Sequence, residues 1–262
     1  MIELIHELMI DEDSKAVRRG VTDLKHIGVR PDGMLLVHSS FRSVRSKAKS
    51  IENVVASLAL SLGANGTLLL PTLTYNRVTP KNPVFDISLT PSNVGAIPEF
   101  YRKRSVTKRS VHPTHSVCAY GAQAGNIISG HELDRTPVGP NSPFSKLRKA
   151  NGQLLMLGCG LKPNTSMHGI EELAKAPYVF GPSIAYTFKD NGVTIAERTY
   201  TAHGFGRWHQ RYDRITKVLQ SPNVVRGRVF GAEAWLIEVS ALWETCKHKI
   251  EAEPFYFVDR IG

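Results

Sequence analysis

The chain has 262 residues, of which 42% are hydrophobic and 21% charged, and its 33 Lys and Arg against 23 Asp and Glu give a formal net charge of +10. That length can bury a sizeable core, and the composition excludes disordered and collagen-like classes. The longest apolar stretch, Val54 to Leu62, is about half of what a membrane span needs and the N-terminus is acidic, so a soluble cytoplasmic protein without a signal peptide is expected.

The run Met34 to Val37 follows the turn Arg30-Pro-Asp-Gly33 and is apolar throughout, which predicts a strand buried on both faces. A helix is predicted next: Ser50 can cap it, Ile51, Val54, Val55, Leu58 and Leu62 recur at helical spacing, and Gly63 can end it. Thr67 to Leu70 predicts a second buried strand, so strand, helix and strand form a parallel unit. Further strands are predicted at Ser116 to Tyr120 and Leu154 to Leu157, with helices over Val94 to Arg102 and Phe144 to Lys149. Beyond about residue 181 the character changes. Ile184 to Phe188 and Val193 to Tyr200 flank Asn191-Gly192, the signature of a tight hairpin with positive φ at both turn positions. Strands at Trp235 to Val239 and Phe255 to Val258, and helices at Trp208 to Leu219 and Ala241 to Lys249, complete an expected antiparallel C-terminal subdomain. No linker interrupts the chain, and one domain spanning 1–262 is expected.

Three clusters carry chemistry. Gly158 to Glu172 runs from a buried strand through a polar loop into a helix, where α/β proteins place ligands. There His168 and Glu171 share a helix face, with Glu172 beside them, and a carboxylate next to an imidazole suits a general base. Lys108 to Ser116, preceded by Arg102, Lys103 and Arg104, combines basic side chains with hydroxyls and suits phosphate. His112 and His115 also form H-x-x-H, but no third spaced ligand accompanies them, and no metal is expected. His38 to Ser43, just past the first strand, offers hydroxyls and amides to an extended ligand. Cys118, Cys159 and Cys246 form no C-x-x-C pair and read as reduced thiols, with Cys159 a small buried residue at a strand end. The absence of GxGxxG, G-x-x-x-x-G-K-[ST] and G-x-S-x-G patterns argues against dinucleotide, P-loop and serine-hydrolase chemistry.

Taken in order, Val37-His-Ser-Ser40, Pro71-Thr-Leu-Thr74, Phe85-Asp86 with Thr90-Pro-Ser92, Gly95, Pro98-Glu99 and Arg102, Arg109-Ser-x-His-Pro-x-x-Ser116, Gly139-x-x-Ser-Pro143 and Asn164-Thr-Ser-x-His-x-x-Glu171 resemble the aminoglycoside 3-N-acetyltransferase family. The resemblance implies an α/β three-layer sandwich around a mixed sheet, with the antiparallel hairpin region at its C-terminal end. It implies acetyl-coenzyme A as acetyl donor, held by His38, Ser39, Ser40, Phe41, Arg42, Ser43, Thr72, Arg109, Ser110, His112 and Ser116. It implies His168 and Glu171, with Thr165, as the catalytic group, and Tyr75, Asp86, Glu172 and Asp213 are expected around a small-molecule amine. Members act on polycationic aminoglycosides, whereas the +10 charge predicts an amino sugar that is neutral or anionic overall, such as a nucleotide-linked one. Aminoglycoside resistance is the alternative, and a basic nucleic-acid-binding protein is the reading from another class, although no nucleic-acid-recognition signature is present. Neither a nucleic-acid nor a membrane partner is expected; a homodimer is compatible with the sequence.

Overall fold

The computed structural model describes residues 2–11 and 14–262, the side chain of Ile2 excepted. Two N-terminal helices, α1 (Ile2–Leu8) and α2 (Lys15–Ile27), lead into β1 (Met34–Ser39). There follow α3 (Phe41–Ala48), α4 (Ile51–Leu62), β2 (Thr67–Pro71), β3 (Val84–Asp86), α5 (Ala96–Arg102), β4 (Lys108–Arg109), β5 (Val117–Gly121), α6 (Ala124–Ile128), α7 (Pro143–Lys149), β6 (Gln153–Leu157) and α8 (Ser166–Leu173). The last third adds β7 (Phe180–Asp190), β8 (Val193–His203), β9 (Trp208–Gln210), α9 (Ile215–Val218), β10 (Val224–Val229), β11 (Ala232–Glu238), α10 (Val239–Ala252) and β12 (Val258–Arg260).

The main sheet runs β10-β11-β6-β1-β2-β5-β4. Its centre is parallel, β1 pairing with both β2 and β6, and its outer pairs are antiparallel. Because alternate residues of a strand face opposite sides, a strand covered on both faces must be apolar throughout. β1 shows this: Leu35 and Val37 pack with α1 to α5 on one face, while Leu36 packs with α6 to α10 on the other. The result is a helix–sheet–helix sandwich around a mixed sheet, as the family resemblance implies. Helix α4 is capped as expected, the Ser50 hydroxyl accepting from the Asn53 amide and Gly63 closing the C-terminus.

The hairpin forms with Asn191 and Gly192 at φ 46° and 84°, but its strands are 11 residues each, longer than the sequence suggests. With β3 it makes a separate three-stranded sheet over a small core of Val78, Phe85, Tyr186, Phe188 and Tyr200. The C-terminal region is thus divided, since β10 and β11 extend the main sheet while β7 and β8 stand apart. Two sequence expectations fail. Residues 208–219 do not make one helix but β9, a 3-10 turn and the short α9, because the chain must reverse to let β9 pair with β12. Residues 255–257 are turn, and the strand begins only at Val258. Among the described residues no helix is long and apolar enough to cross a membrane.

Candidate active site

Parallel β1, β2 and β6 end on one side of the sheet, and there a cavity of about 810 Å³ opens. Val37, His38 and Ser39 from β1, Pro71 at the end of β2 and Leu73 beyond it, and Cys159 and Lys162 after β6 line it. Thr165 and His168 of the α8 region, Thr114 and His115, Ala202 and His203 from the end of β8, and Phe205 just beyond it complete its lining. The loop into α8 can leave β6 because Gly158 takes φ +68°, and a Cβ there would meet Ser43 Cβ at 2.7 Å. Asn164 then accepts the Ser166 amide at 3.1 Å, which starts the helix.

Helix α8 does not use its carboxylates as the sequence suggests. Glu171 is fully buried and makes no hydrogen bond to His168; Tyr178 and Tyr212 donate to it at 3.0 and 2.9 Å. Burial away from any cation pushes its carboxyl up to about 8, although the two hydroxyls pull the other way. The imidazole–carboxylate pair is instead Glu172 with His203, at 2.7 Å. Glu172 is fixed from behind by the Thr136 hydroxyl and by the Val138 amide at 2.9 Å. His168 lies beside this pair, its ring centroid 4.9 Å from that of His203, and its buried Nδ1 has no partner. Desolvation, with His203 nearby, holds His168 well below the ordinary histidine range, so it is neutral. His115 adds a third ring, 5.1 Å from His203 and 5.8 Å from His168. Nothing in the spacing of the sequence marks His203, which β8 delivers from 35 residues beyond His168; His115 is visible there only as half of H-x-x-H.

Among the residues expected to hold a phosphorylated donor, His38 and Ser39 do line the cavity, and His38 Nε2 and Ser39 Oγ are buried without partners. Ser40, Phe41, Arg42 and Ser43 instead start α3, where Ser43 donates to the Gly158 carbonyl at 2.7 Å. Arg109 is not available to phosphate. Its guanidinium donates to the carbonyls of Ile87, Thr90 and Thr72 and to Ser116 Oγ, between 2.8 and 3.2 Å, and burial lowers its pKa to about 10. Thr72 and Ser116 bond each other's carbonyls in the core, and Ser110 bonds His131 at 3.0 Å. His112 is buried and accepts the amides of Thr114 and His115, which shapes the turn that presents His115. The preceding basic run is also committed: Arg102 and Lys103 pair with Glu99, and Arg104 lies over Phe100 and near Glu7.

Of the acidic residues expected around the amine, Asp86 caps a turn through the amides of Ser88, Leu89 and Gly192, and Asp213 pairs with Arg211. Neither lines the cavity, whereas Tyr75 does and is 46% exposed. Cys159 is half-buried in the wall rather than fully buried, and desolvation pushes its thiol up to about 12, which leaves it protonated and a poor nucleophile.

The chain resembles known proteins over nearly its whole length. Aminoglycoside N(3)-acetyltransferase IV of Salmonella sp is 37% identical over 158 residues, 60% of this chain; the match spans only 59% of that relative's length. A mutant of aminoglycoside acetyltransferase AAC(3)-IVa in complex with a gentamicin superposes with a TM-score of 0.79 at 30% identity, covering 95% of this chain and 93% of that one. A binary complex of AAC-IIIb with CoASH gives 0.79 at 26% identity, over 90% and 96%. The profile of the aminoglycoside 3-N-acetyltransferase family matches residues 36–251, so a cavity of this build at the strand ends lies within the matched region, and the chain belongs to that family.

Proposed function

We propose that the chain is an acetyl-coenzyme A-dependent N-acetyltransferase that acetylates an amine of an aminoglycoside, with His203 as general base and Glu172 as the carboxylate that orients it. The observation that carries this reading is His203, in the wall of a cavity at the ends of the parallel strands, held from behind by Glu172 at 2.7 Å. The donor supplies an activated thioester carbonyl; the protein must hold the amine against it and take up its proton, because an alkylammonium is protonated at neutral pH and is no nucleophile. With His203 Nε2 held by Glu172, Nδ1 remains for that proton, and the carboxylate stabilises the imidazolium that forms. His168, neutral and with an uncommitted Nδ1, hydrogen-bonds the acyl oxygen or the acceptor. Thr165 lines the cavity and makes no capping bond, which frees its hydroxyl as a donor. The unpartnered His38 Nε2 and Ser39 Oγ suit the amides of the donor's pantetheine arm. This assignment replaces the expected His168–Glu171 pairing.

The nucleotide-linked acceptor expected from net charge finds no support in the relatives, which are aminoglycoside acetyltransferases. One observation favours a second reading, an acceptor with few positive charges: Lys162 lines the cavity, and no Asp or Glu is among the described residues that line it. Mass spectrometry of products from acetyl-coenzyme A with aminoglycosides and with singly charged amino sugars separates the two. In the same assay His203→Asn and Glu172→Gln should lower kcat by about a hundredfold to ten-thousandfold, and Glu171→Gln by no more than a few-fold. Full turnover in Glu172→Gln with loss in Glu171→Gln would return the base to His168.

A further inference from the structure

We propose that His115, His168 and His203 form a site for a divalent transition metal of the zinc class, whose occupancy blocks the general base. Three rings from three separate elements converge: His115 from the loop before β5, His168 from α8 and His203 from the end of β8. With Zn–N bonds of about 2.0 Å and tetrahedral angles, imidazole centroids stand roughly 5.2 Å apart. The observed separations are 4.9, 5.1 and 5.8 Å, with the rings inclined at 87°, 86° and 62°. The ligand nitrogens lie within 4.8 Å of one another, and they must close to the roughly 3.3 Å of a tetrahedral site when the ion binds.

Two of the three rings carry the second hydrogen bond that orients metal-binding histidines. His203 Nε2 is held by Glu172 at 2.7 Å and His115 Nδ1 by the Thr114 hydroxyl at 2.9 Å, so each ring keeps its other nitrogen for the ion. His168 Nδ1 is buried without any partner. All three residues line the cavity, which leaves the fourth position open to it. Imidazole donors without thiolate or carboxylate select zinc, copper, nickel or cobalt over calcium and magnesium. The ion would take His203 Nδ1, the atom that the proposed function assigns to the amine proton; this half of the inference rests on that reading.

The test uses untagged, chelator-treated protein with Zn²⁺ or Co²⁺ alone. One equivalent of zinc should bind by calorimetry, and bound cobalt should give the intense visible bands of a four-coordinate site. His115→Asn, His168→Asn and His203→Asn should each weaken binding by more than tenfold, and Glu172→Gln by about tenfold to a hundredfold through its hold on His203. His248→Ala, on the exposed face of α10, should bind as the parent does. Substoichiometric binding, octahedral cobalt spectra, or affinity unchanged in both His115→Asn and His203→Asn would overturn the site. Zinc-loaded protein should lose acetyl transfer and a chelator should restore it, whereas full turnover with the site loaded would overturn the blocking role. Zinc binding by a protein inactive in every metal state would sink the transferase reading and leave the metal site standing.

Discussion

A carboxyl group surrounded by protein instead of water keeps its proton until well above its ordinary range, and at Glu171 this couples stability to pH. Its folded-state pKa is about 8 against 4.5 for the free group, with burial as the cause. Below about pH 4.5 the group is protonated in both states and contributes no slope. Between 4.5 and 8 the unfolded chain ionises while the folded protein keeps the proton, so stability falls as pH rises through that window. Each unit is worth about 1.4 kcal/mol, which makes the total several kcal/mol in order of magnitude. Gln at this position retains an acceptor for one tyrosine and has no proton to lose. Glu171→Gln should therefore gain stability over the parent progressively from pH 5 to pH 8 in urea unfolding, and parallel curves would refute the assignment. Arg109 makes a related point: a cation that bonds three carbonyls from two separate segments is a fastener of the fold, however well its sequence context suits phosphate.

Helix α8 brings Thr165, His168, Glu171 and Glu172 together, and its placement depends on close approach to its neighbours. Gly169 sits where an added Cβ would lie 2.4 Å from the Trp243 ring of α10 and 2.5 Å from Val138. Both neighbours are buried, so neither can swing aside. Gly169→Ala should therefore shift the helix, cost about 1–3 kcal/mol of stability by overpacking, and lower kcat more than it raises the KM for the donor. Unchanged melting temperature and turnover would show that the packing yields. The scaffold around this helix was legible in the sequence where local pattern and tertiary role agree: the apolar runs of β1, β2 and β6, the capped α4 and the Asn191-Gly192 hairpin. It was illegible where partners decide, as in residues 208–219, where the pairing of Trp208–Gln210 with β12 overrides a single helix. The site divides in the same way. His168 could be found because strand, loop and helix adjoin in sequence, and Thr165 through the family resemblance, but the choice between Glu171 and Glu172 depends on which tyrosines and which histidine arrive from distant elements.

For the whole molecule, the charge balance of +10 and the lining of the cavity point the same way, although they are independent quantities. The carboxylates that could have reversed the local sign are otherwise engaged: Asp86 with backbone amides, Asp213 with Arg211 and Glu172 with His203. Lys162 stands in the cavity wall. A polycation approaching this surface meets repulsion over the Debye length, which contracts from about 30 Å at 0.01 M salt to about 8 Å at physiological ionic strength. Added salt should thus raise kcat/KM for an aminoglycoside carrying four or five charges, by an amount on the order of tenfold across that range, and leave a singly charged amino sugar nearly unaffected. The anionic donor should respond in the opposite sense, its affinity falling as salt rises. Measuring all three at matched ionic strengths separates field from contact, because steering acts on the bimolecular encounter while hydrogen bonds within the cavity are screened far less. A polycation whose kcat/KM falls with salt must be drawn by carboxylates on its approach path, and that result would remove the charge argument for a less cationic acceptor and leave the aminoglycoside reading alone.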